Sequence, residues 1–128
     1  FNLPVGSLMR TKYQEYKEYH TSLDNRDFVS FPHMDRSVEI YTEIVRVLEM
    51  NDTYINKIRY CEPQLGKRGM YPSSVNPDDS REKLHNLMHF LTYADGETDL
   101  IALAEKRGRY ALVFEDIIAL CRENDLLE

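Results

Sequence analysis

The chain has 128 residues and a mass of 15.1 kDa, enough for one ordinary domain or two very small ones. Sixteen basic residues against 22 acidic ones give a net charge of −6, so a polyanion such as DNA would bind against the overall field. No apolar run approaches the ~20 residues that a membrane-spanning helix requires. Composition therefore predicts a globular protein and disfavours nucleic acid and membrane partners.

The two cysteines and the first residues of the chain concern its compartment and its context. Cys61 and Cys121 have no CxxC spacing, so neither a disulfide framework nor a zinc finger is inferred from them, and we expect a reducing, cytoplasmic location. Phe1 to Gly6 lack the charged and apolar regions of a signal peptide, and the chain does not begin with Met. We therefore expect a fragment of a longer polypeptide.

The first 30 residues predict a strand followed by a polar, aromatic loop. Leu3 to Met9 is short, largely apolar and broken by proline and glycine, which is typical of a buried strand or strand end. The loop carries Tyr13, Tyr16 and Tyr19 at every third position and leads into His20 to Asn25, whose Ser, Asp and Asn residues favour local turns.

The clearest helix is predicted from Met34 to Met50. Its apolar residues recur at steps of three and four: Met34, Val38, Tyr41, Ile44, Val45 and Leu48. Ser30 and Asp35 are both suitable caps for its start, and Asn51-Asp52 marks its end.

Proline and glycine residues interrupt residues 61–80, so the sequence predicts a boundary between a domain at 1–76 and a domain at 77–128. Asp79 and Glu82 resemble a capping box that opens a helix extending to Ala94. Asp95 to Glu97 is predicted to be a turn.

A short helix from Leu100 to Lys106, capped by Thr98 or Asp99, and a break at Gly108 are predicted next. A third helix is expected from Tyr110 to Glu123. Three helices with a glycine-containing turn, ending in residues 124–127, are typical of a helix-turn-helix that leads into a small wing strand.

Two short motifs resemble metal-binding or phosphate-binding patterns, but each lacks residues that the pattern requires. His85 and His89 have the i, i+4 spacing of a zinc pair, but Asn86 stands where a metalloprotease needs its Glu, so we interpret both as helix-border residues. The segment from Gly66 to Gly69 lacks the first Gly and the final Ser or Thr of a phosphate-binding loop. Its cations, Lys67 and Arg68, either solvate a turn or hold a carboxylate of a substrate or of another domain.

The tri-helical tail has the wrong charge for a DNA reader. Residues 81–128 hold six basic and ten acidic residues, and the predicted last helix carries Glu115, Asp116 and Glu123 against Arg122 alone. A protein or domain contact is the better prediction for this part.

Three segments together resemble a known family: residues 1–10, then Tyr19 to Asn25, then Glu62 to Pro72. They are similar to the C-terminal third of a bacterial family of zinc aminopeptidase-like proteins that end in a winged helix and are often labelled as polysaccharide-biosynthesis proteins. In the wider class of di-zinc aminopeptidases, a Tyr-His-Thr-Pro-x-Asp-Thr-like loop supplies a zinc-ligand His. This chain has Ser22 and Asn25 where that class has Pro and Thr.

The resemblance implies an α/β fragment, made of the last strand and packing helix of an aminopeptidase-type sheet, followed by an all-α, three-helix winged-helix-like domain. It implies that His20 is a ligand of one or two zinc ions, with Tyr19, Thr21 and Asp24 supporting the loop. The other ligands and the base would lie in the upstream catalytic domain of the same polypeptide, so we expect the fragment alone to be inactive and to contain no catalytic residue.

Two functions follow as hypotheses. In the first, the chain is the C-terminal portion of a zinc-dependent aminopeptidase-like hydrolase, and its winged helix contacts a domain or a protein partner. In the second, the chain is a non-catalytic protein-interaction module with a winged-helix tail.

Overall fold

The computed structural model describes residues 3–71 and 77–128, and it divides the chain into two compact units, Phe1–Ile40 and Tyr41–Glu128. Four α-helices, one 3-10 turn and one two-stranded sheet make up the regular structure of the described residues. In chain order the elements are α1 (Phe31–Met50), β1 (Thr53–Ile55), α2 (Pro77–Tyr93), β2 (Asp95–Asp99), α3 (Leu100–Arg107), a 3-10 turn (Ala111–Phe114) and α4 (Glu115–Glu123).

The predicted strand from Leu3 to Met9 is wrong for this structure. Residues 3–30 contain turns and bends but neither helix nor strand, and the side chains of Leu3 and Val5 are 67% and 80% exposed. A strand persists only when a neighbouring strand satisfies its backbone N–H and C=O groups, and no strand in the described part of the chain pairs with this segment. The predicted last strand of an aminopeptidase-type sheet is therefore not formed here.

Helix α1 begins three residues before its predicted start and ends at the predicted residue. The carbonyl oxygen of Ser30 accepts hydrogen bonds from the backbone N–H groups of His33 and Met34, so the first turn closes directly after Ser30. No residue of α1 is buried, and Leu48 of its apolar stripe is 61% exposed. The sequence therefore predicted the helix, whereas the burial that its apolar stripe suggests is only partial.

The second unit contains a small antiparallel sheet. Thr53 of β1 pairs with Asp99 of β2, Ile55 pairs with Asp95, and Leu127 adds an isolated bridge to the residue that follows β1. The turn predicted at 95–97 is wrong, because these residues belong to strand β2. Gly96 has a φ of +84°, and a Cβ atom at that position would lie 3.0 Å from Cγ1 of Ile55, so glycine is required where the two strands approach.

The predicted boundary between residues 76 and 77 falls inside this second unit. Strand β1 precedes that boundary and β2 follows it, so their pairing places both sides in one compact unit. Part of the predicted boundary region, residues 72–76, lies outside the described residues. Proline and glycine mark a connection here, and long-range strand pairing determines which elements it connects.

The core of the second unit lies among α2, α3 and α4. Its largest fully buried side chains include Phe90, Leu103 and Phe114, and Leu126, which follows α4, is also fully buried in this core. The predicted short helix is confirmed as α3: the Asp99 side chain accepts from the N–H of Ala102, and Gly108 caps the other end at a φ of 65°.

The other two helices of the tail differ at their starts. Helix α2 begins at Pro77, a position that suits proline because its missing N–H would have no partner in the first turn. The predicted capping box is therefore wrong, since Asp79 already lies within the helix. The predicted last helix is divided into the 3-10 turn and α4.

Candidate functional site

The loop around His20 is held by side-chain hydrogen bonds to its own backbone. Thr21 Oγ1 donates to the carbonyl of Glu18 at 2.9 Å and accepts from the N–H of Leu23 at 3.2 Å. Asn25 donates through Nδ2 to the carbonyl of Ser22 and accepts from the backbone N–H two residues later. Such bonds fix a turn without any ladder, which agrees with the turn chemistry of the sequence.

His20 is exposed and lies against an aromatic cluster. Its φ is 56°, in the left-handed region, and its ring stacks on Tyr19 with centroids 4.0 Å apart and planes 14° apart. Tyr19 makes an edge contact with Tyr16 at 5.6 Å, and Tyr16 stacks on Phe28 at 5.7 Å. These rings orient the imidazole while leaving it accessible to solvent.

Asp24 lies in this loop, and the supporting role that the resemblance implies for it stays a prediction. Its backbone N–H donates to the carbonyl of Thr21, but its carboxylate accepts none of the hydrogen bonds that the structure describes. Burial of the Tyr16 ring and, next, the negative charge of Asp24 raise the pKa of the Tyr16 hydroxyl above its usual value. Asn25, which the sequence indicated as a turn-favouring residue but not as a site residue, makes two side-chain hydrogen bonds within the turn.

The described residues do not complete a metal site. In residues 3–71 and 77–128, no group of three or more His, Cys, Asp and Glu side chains is arranged to hold a metal ion. A hydrolytic zinc site uses three protein ligands and an open position for water. His20 is thus one available imidazole, and the described chain does not by itself fit a zinc ion.

Lys67 and Arg68, predicted as a pair, have different surroundings. Lys67 is exposed, whereas Arg68 is half-buried and donates to two backbone carbonyls, from Nε to Pro63 at 3.0 Å and from a terminal nitrogen to Asn124. Arg68 therefore joins the 62–70 loop to the end of α4. The hydrogen-bond acceptors of Arg68 are carbonyl oxygens of its own chain. Its charge, after the larger effect of Lys57, also lowers the pKa of the Asp125 carboxyl, and the two alternatives for the pair stay predictions.

The histidines of α2 agree with their interpretation as helix-border residues. His85 is exposed, while His89 is half-buried, with Nε2 at 3.1 Å from the carbonyl of Leu103 and its ring 4.8 Å from that of Tyr93. Asn86, between them, is the buried polar residue of the core, and its Oδ1 accepts from Nε of Arg107. The sequence carries no local signal for this bond, which spans two helices.

The last helix of the tail differs from a nucleic-acid reader in its charge. Its exposed residues include Asp116, Arg122 and Glu123, and Glu115 at its first position accepts from Arg46 of α1. The order of elements is nevertheless that of a winged helix, and the family model for a winged helix-turn-helix matches residues 52–128. The chain belongs to the winged helix-turn-helix family. This winged helix-turn-helix follows residues 1–51, which match a family described as a domain of unknown function (DUF4910).

Two relatives from Clostridium acetobutylicum extend this result. The chain is 39% identical over 107 residues to a protein named as a polysaccharide biosynthesis protein with aminopeptidase-like domain, covering 84% of this chain and 24% of that protein. A crystal structure of a protein described as a peptidase matches 86% of this chain and 23% of its own, with a TM-score of 0.71 and 30% identity. The resemblance to aminopeptidase-like proteins with a winged helix is confirmed.

The winged helix-turn-helix chain spans about a quarter of the length of these relatives. No helix within the described residues has both the length and the apolar character needed to cross a lipid bilayer.

Proposed function

We propose that the chain is the C-terminal portion of a zinc-dependent, aminopeptidase-like hydrolase, to which it contributes one metal ligand and a contact domain. The observation that carries the proposal is the 39% identity, across 84% of the chain, to a protein with an aminopeptidase-like domain. The similarity to the crystal structure of a protein described as a peptidase also supports it.

His20 is the ligand in this proposal. Its ring is exposed and stacked on Tyr19, so it can present a neutral imidazole nitrogen to an ion without any loss of core packing. Thr21 fixes the turn behind it, which limits the orientations of the imidazole. The remaining ligands come from the rest of the polypeptide, because the described residues supply no set of three. A bound zinc ion polarises carbonyl groups and lowers the pKa of water.

The second candidate is the non-catalytic interaction module. It is supported by the incomplete ligand set in the described residues and by the acidic surface of the tail. The two candidates differ in one respect that can be measured: only the hydrolase requires His20 for metal binding in the longer polypeptide.

The test uses the longer polypeptide with its native His20, with His20→Ala, and with His85→Ala as the matched control for loss of an exposed histidine. We expect zinc uptake and leucine-anilide hydrolysis in the native protein and in His85→Ala, and loss of both in His20→Ala with unchanged circular dichroism. The 128-residue chain alone should hydrolyse nothing. The proposal would be wrong if His20→Ala hydrolysed the leucine anilide at the native rate, or if the native polypeptide took up no zinc.

A further inference from the structure

A groove runs between α2 and α4 in the winged-helix unit. Its floor is apolar and is formed by Met70, Leu87 and Ile117, while Val113 and Tyr71 stand at its edge with partly exposed side chains. The volume is about 420 Å³, within the range of sites that take a small ligand or a few side chains. We call this feature the α2–α4 groove.

The rim of the α2–α4 groove is acidic. Asp79, Glu82 and Asp116 stand there against Lys83 alone, and Glu82 is already paired with Arg109 at 2.8 Å. In the part of the chain that the structure describes, Asp79 and Asp116 form no ion pair. Both lie in the first turn of a helix, where the backbone N–H groups favour a negative charge. The rim therefore presents two carboxylates without a cationic side-chain partner beside an apolar floor.

We propose that the α2–α4 groove binds a short basic and apolar peptide segment of a partner protein. An apolar side chain of the segment enters the groove between Leu87 and Ile117, and its flanking Lys or Arg residues meet Asp79 and Asp116. Charge complementarity determines this choice of partner, because a nucleic acid would bring its phosphates to the same carboxylates.

The inference goes beyond the proposed hydrolase and does not depend on it. Every groove residue belongs to the unit Tyr41–Glu128, whereas His20 belongs to the unit Phe1–Ile40. Loss of zinc binding in the test above would leave the groove proposal unaffected. A negative result for the groove would likewise leave the metal ligand unaffected.

The test measures binding of a fluorescein-labelled Leu/Lys amphipathic peptide of about 14 residues to the 128-residue chain by fluorescence anisotropy. Two control peptides replace every Lys by Glu or every Leu by Ser. We expect the Leu/Lys peptide to bind and both controls to bind at least about tenfold more weakly, since each removes one half of the recognition. Backbone amide shifts in the nuclear magnetic resonance spectrum should change at Leu87, Ile117 and Leu120.

The matched variants are Asp116→Lys and Glu123→Lys, which make the same charge change in α4, at the groove and away from it. Asp116→Lys should weaken binding about tenfold and Glu123→Lys less than about twofold. Val113→Ser, which leaves every charge in place, should also weaken binding.

Equal effects of the two Lys variants would overturn the proposal, because binding would then reflect net charge alone. Amide shifts outside the groove would overturn it as well. So would displacement of the peptide by duplex DNA, or self-association of the chain through this face.

Discussion

Arg46, near the end of α1, donates a hydrogen bond to the carboxylate of Glu115, the first residue of α4. Arg46 precedes residues 52–128, which match the winged helix-turn-helix family, yet it lies with Glu115 in the same compact unit. Two further contacts join the end of α1 to this unit: Asn51 Oδ1 accepts from the N–H of Ile101, and the hydroxyl of Tyr54 donates to the carbonyl of Met50. The C-terminal part of α1 is thus part of the winged-helix unit.

The Arg46 and Glu115 pair should contribute little to stability. Its side chains are 47% and 44% exposed, so solvent screens the attraction. A double-mutant cycle with Arg46→Met and Glu115→Gln, measured by urea unfolding, should give a coupling free energy of about 0.2–1 kcal/mol that falls in high salt. A coupling above about 2 kcal/mol, or one that salt leaves unchanged, would contradict this expectation.

Arg68 should matter far more than its neighbour Lys67. Removing its half-buried guanidinium leaves the carbonyls of Pro63 and Asn124 without their donor, so Arg68→Gln should lower the free energy of unfolding by about 1–3 kcal/mol. Lys67→Gln, at an exposed position, should change it by less than about 0.5 kcal/mol. Urea unfolding of both variants measures the difference, and equal effects would show that Arg68 does not join the loop to α4.

Asp95 should make stability depend on acid pH. Its carboxylate accepts hydrogen bonds from the backbone N–H groups of Thr98 and Glu97, at 2.8 Å each, which lower its pKa below the usual value. Because the pKa of Asp95 is lower in the folded state, its ionised carboxylate stabilises the protein at pH values above the unfolded-state pKa of about 3.9. This stabilisation is lost as the pH falls through the folded-state pKa.

The corresponding experiment compares the native chain with Asp95→Asn by urea unfolding from about pH 6 to about pH 2. Near neutral pH the Asp95→Asn variant should unfold at a lower urea concentration than the native chain. The difference between the two unfolding midpoints should become smaller as the pH falls. Glu97→Gln is the matched control, because the exposed Glu97 carboxylate accepts none of the described hydrogen bonds. A gap for Asp95→Asn that widens as pH falls would refute the sign.

The two thiols should react at very different rates. Cys61 is exposed, whereas Cys121 is fully buried in the core, and this burial raises the pKa of the Cys121 thiol to about 12. Ellman's reagent at about pH 8 should therefore titrate one thiol in the folded chain and two in concentrated guanidinium chloride. Cys61→Ser should abolish the fast reaction. Two fast thiols in the folded chain would mean that the core around Cys121 opens readily.

The loop around His20 illustrates how much of the candidate site could be predicted from the sequence. The loop from Tyr19 to Asn25 indicated a turn, and the hydrogen bonds of Thr21 and Asn25 form one. The choice of Asp24 over Asn25 as a supporting residue depended on a family pattern. The side-chain amide of Asn25 can both donate and accept, which a carboxylate cannot do, and the turn uses both capacities.

The sequence by itself determined the elements whose causes are local. Helix α3 begins after Asp99 and ends at Gly108, because a capping side chain and a left-handed glycine act within one helical turn. Periodicity within 17 residues was enough for most of α1.

Only the tertiary structure decided the features that join distant residues. Asp95 to Glu97 has turn chemistry, yet it lies in β2 because β1, some 40 residues earlier, supplies the pairing partner. Arg68 is structural because Asn124 lies beside it, and the side chains of the α1 stripe stay 40% to 62% exposed. Capping, turn formation and hydrophobic periodicity depend on residues that are close together in the sequence. Strand pairing and burial depend instead on which distant segment of the chain folds against an element.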